Sequence, residues 1–119
     1  MKAARSADVQ PFTARDGSEI RELARPPETA RNQSLAEARV HAGAETIEHL
    51  HRASEEIYCF LEGEGRMRLG EEVSAVEAGD VVVIPPGTRH KLWNPGPGPL
   101  VLLCCCAPPY ADEDTVLTE

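Results

Sequence analysis

The sequence has few aromatic residues, no run of basic residues and no long apolar segment. Aromatic side chains make up 4% of the 119 residues, so a folded core must be built mainly from Val, Ile, Leu and Ala. There are 12 basic and 20 acidic residues, and the basic ones are not clustered as a phosphate-binding surface requires. No segment approaches the roughly 20 apolar residues of a membrane helix. These absences argue against nucleic acids and membranes as partners.

The first residues and the cysteines predict a cytoplasmic protein. Residues 1–18 are polar and lack the apolar core of a secretory signal. Three of the 4 cysteines are consecutive, Cys104, Cys105 and Cys106. Adjacent residues on a strand point to opposite faces, so these cysteines cannot easily pair with one another. Reduced thiols are the simpler interpretation.

Turn residues recur along the chain and leave room only for short elements. This pattern predicts a single all-β domain, either a barrel or a sandwich. We expect a loose arm over residues 1–17, the barrel over 18–107 and an acidic tail over 108–119. A helix over Glu28–Ala38 is the alternative in one region, but the strand count needs Ser34–Val40. The predicted strands are Leu35–Val40, Thr46–His51, Ile57–Leu61, Val73–Val76, Val81–Ile84, Lys91–Trp93 and Leu100–Cys106.

A histidine pair, His49-Leu50-His51, is the first indication of chemistry. On a strand, residues i and i+2 point to the same face about 7 Å apart, so both imidazoles can lean toward one metal ion. Taken alone, the pair fits two solvated surface histidines as well.

The spacing of glycine, proline and acidic residues around the histidines makes the metal interpretation specific. One pattern, G-x5-HxH-x4-E-x6-G, is formed by Gly43, His49, His51, Glu56 and Gly63, and a second, G-x5-PxG-x2-H-x3-N, by Gly79, Pro85, Gly87, His90 and Asn94. These are the two motifs of the cupin superfamily, which the chain resembles from about Ser34 to Cys106.

The resemblance implies an all-β fold, a six- to nine-stranded antiparallel double-stranded β-helix or jelly-roll barrel. It also implies one divalent transition metal (Fe, Mn, Ni, Co, Cu or Zn) on His49, His51, Glu56 and His90. Glu55 is the alternative acid, but Glu56 keeps the motif spacing to Gly63. A homodimer is implied as well, and the N-terminal arm could pair with a partner's sheet edge.

Strand alternation adds candidates near the metal. Tyr58 shares a face with Glu56 and is a candidate hydrogen-bond donor or general base, with a core tyrosine as the alternative. Cys104 and Cys106 share a face that lies close to the cavity if it points inward. His41 has no partner at metal spacing and is expected on the surface.

We expect a metal-dependent enzyme that acts on a small oxygen-rich metabolite. Its reaction could be that of a dioxygenase, an isomerase or a lyase. The alternative is a non-catalytic cupin that binds a small molecule or a metal. The same fold and site serve both classes, so the sequence leaves the choice open.

Overall fold

The computed structural model describes residue 1 and residues 3–119, which form two facing antiparallel sheets. The six-stranded sheet has the order β1-β2-β3-β10-β5-β8, and the five-stranded sheet has the order β11-β4-β9-β6-β7. The strands are β1 (Phe12–Thr13), β2 (Glu19–Ala24), β3 (Ser34–Val40), β4 (His49–His51), β5 (Glu55–Glu62), β6 (Glu64–Leu69), β7 (Glu72–Glu77), β8 (Val81–Ile84), β9 (His90–Trp93), β10 (Leu100–Ala107) and β11 (Thr115–Leu117).

Strands β3 to β10 make the jelly-roll barrel, which confirms the predicted fold class. Alternation on β5 buries every second residue, so Tyr58 and Phe60 point between the sheets. The apolar core between the sheets contains Ala38, Val40, Tyr58, Phe60, Met67, Val76, Ile84, Leu92, Leu100 and Leu102. The core therefore uses aliphatic side chains as expected, together with Met67 and two of the few aromatic residues.

The region with a helical alternative is a strand. β3 pairs with β2 on one side and with β10 on the other, so its backbone groups are satisfied on both edges. A helix there would leave β10 without one of its two neighbours. Tertiary pairing thus overrides the helix-forming composition.

Four strands were not predicted: β1, β2, β6 and β11. β6 reads EGRMRL, in which glycine and charges hide the strand signal. Its Gly65 allows close packing, because an added Cβ would lie 2.6 Å from the carbonyl oxygen of Trp93. The preceding Gly63 has φ +84, a conformation that other residues rarely adopt.

Both terminal regions contribute strands outside the eight-stranded barrel. β1 pairs with β2 of the same chain, and β11 pairs with β4. The division into arm, barrel and tail at residues 17 and 107 stays a prediction. No helix in the described part of the chain is long and apolar enough to cross a membrane.

Candidate metal centre

Three buried histidines meet on the inner face of the five-stranded sheet. His49 and His51 alternate inward along β4, and β9 places His90 directly opposite His49. Their relative exposures are 4%, 4% and 0%. The candidate ligand nitrogens all lie within 4.8 Å of one another. The structure therefore brings His90, which is distant in sequence, to the histidine pair of β4.

The outer nitrogen of each ring has a hydrogen-bond acceptor. His49 Nδ1 lies 2.8 Å from the carbonyl oxygen of Ile47, and His90 Nδ1 lies 2.9 Å from that of Thr88. A carbonyl oxygen can only accept, so both Nδ1 atoms carry the proton. His51 Nδ1 lies 3.0 Å from the Thr115 hydroxyl. In neutral rings with this tautomer, Nε2 presents its lone pair to the interior.

Glu56 approaches two of these imidazoles from the facing sheet. Its Oε1 is 3.1 Å from His51 Nε2 and 3.4 Å from His90 Nε2, which is buried without a hydrogen-bond partner among the described residues. Two imidazole lone pairs and a carboxylate oxygen cannot face one another at these distances unless a cation lies between them. A proton or a metal ion can fill that role, and three nitrogens with one carboxylate form a donor set suited to a divalent transition metal.

The charges support ligation at neutral pH. Burial by itself would raise the pKa of Glu56, but contacts with His51 and His90 outweigh it and lower the pKa to about 2. Burial, together with the nearby His90, lowers the pKa of His49. An ionised carboxylate and a neutral imidazole are the forms that bind metal. The adjacent Glu55 is exposed and points away from the centre.

A cavity of about 1150 Å³ lies over this centre and is lined by His49, His51, Glu56 and Tyr58 among others. Its wall includes both terminal segments, from Val9 to Ser18 and from Pro109 to Thr115. Such a volume accommodates a small molecule. His90 is not part of the lining and lies behind the other ligand candidates.

Tyr58 and two thiols also face this interior. Burial raises the pKa of Tyr58 well above its ordinary value, so the hydroxyl stays protonated at neutral pH. Cys104 and Cys106 line the cavity, and burial raises the pKa of both thiols. The Cys106 thiol donates a hydrogen bond to Glu56 Oε2 at 3.2 Å. All four cysteines are free.

Three other residues, His41, Trp93 and Asn94, make their contacts outside this cluster. His41 is exposed and contacts Glu19, as expected for a surface histidine. Asn94 is buried and donates to the carbonyl oxygens of Val40 and Gly98, which is a structural role. Trp93 is half-buried, with the Lys91 ammonium 5.5 Å from its ring centroid.

Sequence reasoning missed the groups that orient the histidines. Ile47 and Thr88 act through backbone carbonyls two residues before a histidine, and nothing in the sequence marks that contact. Thr115 belongs to a segment interpreted as an acidic tail. The only signal was the β-favouring triplet Thr115–Leu117 at the end of that segment.

Comparisons with known proteins agree with the geometry. The chain is 49% identical to the uncharacterized protein MJ1618 of Methanocaldococcus jannaschii over 112 residues, covering 93% of this chain and 90% of that protein. A predicted oxalate decarboxylase from Thermotoga maritima superposes with a TM-score of 0.81 at 23% identity, over 89% of this chain and 98% of the other. The Streptomyces nucleoside dehydratase Pac13 also gives a TM-score of 0.81, at 18% identity, over 100% and 92% of the two chains.

The family model for the cupin domain matches residues 36–106, which include every candidate ligand and both motifs. The match covers more than half of the chain and ends before β11. The strands that carry the histidine cluster, β4 and β9, lie within the matched residues. The chain therefore belongs to the cupin superfamily.

Proposed function

We propose that this protein holds one divalent transition metal on His49, His51, Glu56 and His90 and uses it on a small oxygen-rich molecule in the cavity. The observation that carries the proposal is the convergence of hydrogen-bond acceptors around one buried point. Such a point needs a cation. The hydrogen bonds of the three Nδ1 atoms leave the Nε2 lone pairs free to bind it. A bound ion would act there as a Lewis acid toward a substrate oxygen.

Adjacent glutamates supply a matched test of the ligand set. Glu56→Gln removes the buried carboxylate, whereas Glu55→Gln makes the same change on the exposed face of β5. We expect the apoprotein to bind Co²⁺ or Mn²⁺ in a one-to-one ratio, as measured by calorimetry and elemental analysis. Glu56→Gln should weaken this binding strongly, while Glu55→Gln should match the wild type. Equal binding by both variants would remove Glu56 from the site.

Among the open chemistries, the cavity favours elimination or isomerisation. The Tyr58 hydroxyl remains protonated at neutral pH and faces the same space as the ligands, so it can donate a proton or a hydrogen bond to a substrate oxygen. Relatives with this fold include a predicted decarboxylase and a dehydratase, and Pac13 variants bind uridine. These likenesses support small-molecule lyase chemistry as the first class to assay.

A screen of dicarboxylates, sugars and nucleosides with the metal-loaded protein tests this class. We expect product formation under anaerobic conditions, detected by mass spectrometry. A strict requirement for oxygen would indicate a dioxygenase instead. Saturable ligand binding without turnover would indicate the non-catalytic binding protein.

We also propose that the protein is a homodimer. The supporting feature is an outer apolar face, defined as Ile57, Leu61, Val81 and Val83 on the neighbouring strands β5 and β8. These side chains are 36% to 61% exposed although they are apolar. β8 is an edge strand, and a chain of net charge −8 can approach its own copy most easily through an uncharged surface.

Light scattering tests the dimer directly. We expect about twice 12.9 kDa for the wild type. Leu61→Asp should give the monomer, while Val73→Asp, at an exposed valine on the other sheet, should not. A wild type that is monomeric at micromolar concentration would contradict the proposal, and a dimeric Leu61→Asp variant would move the interface to the N-terminal arm.

A further inference from the structure

Thr115 lies beyond the part of the chain that matches the cupin family, yet it contacts the metal centre. It is the first residue of β11, and in the register of β11 with β4 it stands opposite His51. Its relative exposure is 6%. A buried hydroxyl at this position must satisfy its hydrogen bonds within the protein.

The direction of these hydrogen bonds is determined by their partners. The Thr115 hydroxyl lies 3.0 Å from the carbonyl oxygen of Ala111, which can only accept, so the hydroxyl donates its single proton there. Toward His51 Nδ1, also at 3.0 Å, the same oxygen can then only accept. His51 Nδ1 therefore carries the proton, and Nε2 is left with the lone pair that faces Glu56.

His51 differs from the other two histidines in the nature of this partner. Backbone carbonyls receive the Nδ1 protons of His49 and His90, whereas a side chain receives that of His51. A hydroxyl can in principle act as donor or acceptor, so its role depends on the Ala111 contact. The tautomer of His51 is consequently determined by the C-terminal segment.

That segment is held in place from two sides. Arg15 Nη1 donates to the carbonyl oxygens of Asp112 and Thr115, both at 2.9 Å. The Asp114 carboxylate accepts from the backbone N–H groups of Ala53 and Ser54, just after β4. The Ala111–Thr115 turn is thus fixed against β4 before any metal binds.

We propose that Thr115 is a positioning residue of the metal centre, which accepts the Nδ1–H of His51 and so keeps Nε2 available as the ligand atom. The inference rests on the proposed metal site for its consequence, but the tautomer it requires is a property of the apoprotein. The Arg15 contacts hold Thr115 in this position.

The first experiment measures the tautomer without metal. Long-range ¹H–¹⁵N NMR of the apoprotein at pH 8 should find His51 protonated on Nδ1 in the wild type and in Thr115→Ser. Thr115→Val has nearly the same shape without the acceptor, and it should shift His51 toward the Nε2-protonated form. A wild type whose His51 Nδ1 carries no proton would overturn the proposal, whether or not any variant folds.

The second experiment measures affinity for Co²⁺ by competition with a chelator. Thr115→Val should bind about 10–100-fold more weakly and change the visible Co²⁺ spectrum. Thr115→Ser should restore both. The matched control is Thr118→Val, because the exposed Thr118 hydroxyl donates to Glu48 and not to a histidine. Wild-type affinity in Thr115→Val would overturn the positioning role, whereas absence of Co²⁺ binding by the wild type would overturn the proposed metal site and leave the tautomer result intact.

Discussion

Metal should stabilise the fold, because the proposed ligands come together only in the folded barrel. His49 and His51 come from β4, His90 from β9 and Glu56 from the opposite sheet, so the unfolded chain offers no such site. At a hundredfold excess of free metal over its dissociation constant, binding should add about 2.7 kcal/mol to the free energy of unfolding. For a domain of this size, that corresponds to a melting temperature about 10 °C higher.

The assay compares melting by circular dichroism with metal and with excess chelator at pH 7.5. Each variant is compared with itself, so that the cost of losing a buried side chain cancels. His49→Ala and His90→Ala should lose most of the metal-dependent shift. His41→Ala should keep it, since His41 is exposed and contacts Glu19.

Lower pH should reduce the metal-dependent shift, because protons compete for imidazole lone pairs. Free histidine titrates near ~6.5, so the effect should become steep below about pH 6. Glu56 stays ionised between pH 5 and pH 7.5, because its pKa is lowered to about 2. Its contribution to metal binding is therefore lost only as the pH falls well below 4.5. The lowered pKa of His49 means that the folded apoprotein keeps this ring neutral while the unfolded chain protonates it below about 6.5, so acid also destabilises the apoprotein.

Two outcomes would refute this reasoning. One is stoichiometric metal and a full chelator-sensitive shift in both His49→Ala and His90→Ala, which would place the ion elsewhere. The other is a metal-dependent rise in the wild-type melting temperature that stays constant from pH 7.5 to pH 5, which would exclude imidazole ligation.

Three further changes test the surroundings of the centre and its packing. Tyr58→Phe should leave metal content unchanged and, once a substrate is identified, lower turnover by roughly 10²–10⁴-fold; wild-type turnover would make Tyr58 a structural residue. Cys106→Ala removes the donor to Glu56 Oε2 and should cost about 1–3 kcal/mol in urea unfolding, with Cys106→Ser recovering most of it. Gly65→Ala places a methyl group 2.6 Å from a backbone oxygen and should cost about 1–3 kcal/mol, whereas Gly98→Ala meets nothing within 4 Å and should stay within about 0.5 kcal/mol.

Local patterns in the sequence predicted the strands that alternate strongly and the candidate ligands that they carry. On β5 the period of two separates the buried Glu56, Tyr58 and Phe60 from the exposed Glu55, and the structure confirms this division. The turn glycines and the spacing of the two motifs were sufficient to predict the family and its fold. Such features depend only on neighbouring residues, so they can be read without a structure.

Other elements were hidden because their local signals were weak or misleading. Strand β6 contains a glycine and three charged residues, which weaken its strand signal, and the helix-forming composition around β3 competes with the strand that forms there. In both cases, pairing with strands distant in sequence decides the conformation. The terminal strands β2 and β11 are likewise stabilised by β3 and β4, on which they pack.

The sequence by itself was enough to recognise the family from the spacing of its two motifs, and that resemblance implied the barrel fold and the four candidate ligands. Only the tertiary structure decided that β9 sets His90 against His49, that Cys106 contacts Glu56 and that Thr115 receives the Nδ1 proton of His51. The physical reason is that the direction of a hydrogen bond depends on all the partners of both groups. For Thr115 these partners are Ala111 and a histidine on another strand, and only the register between β11 and β4 brings that histidine within reach.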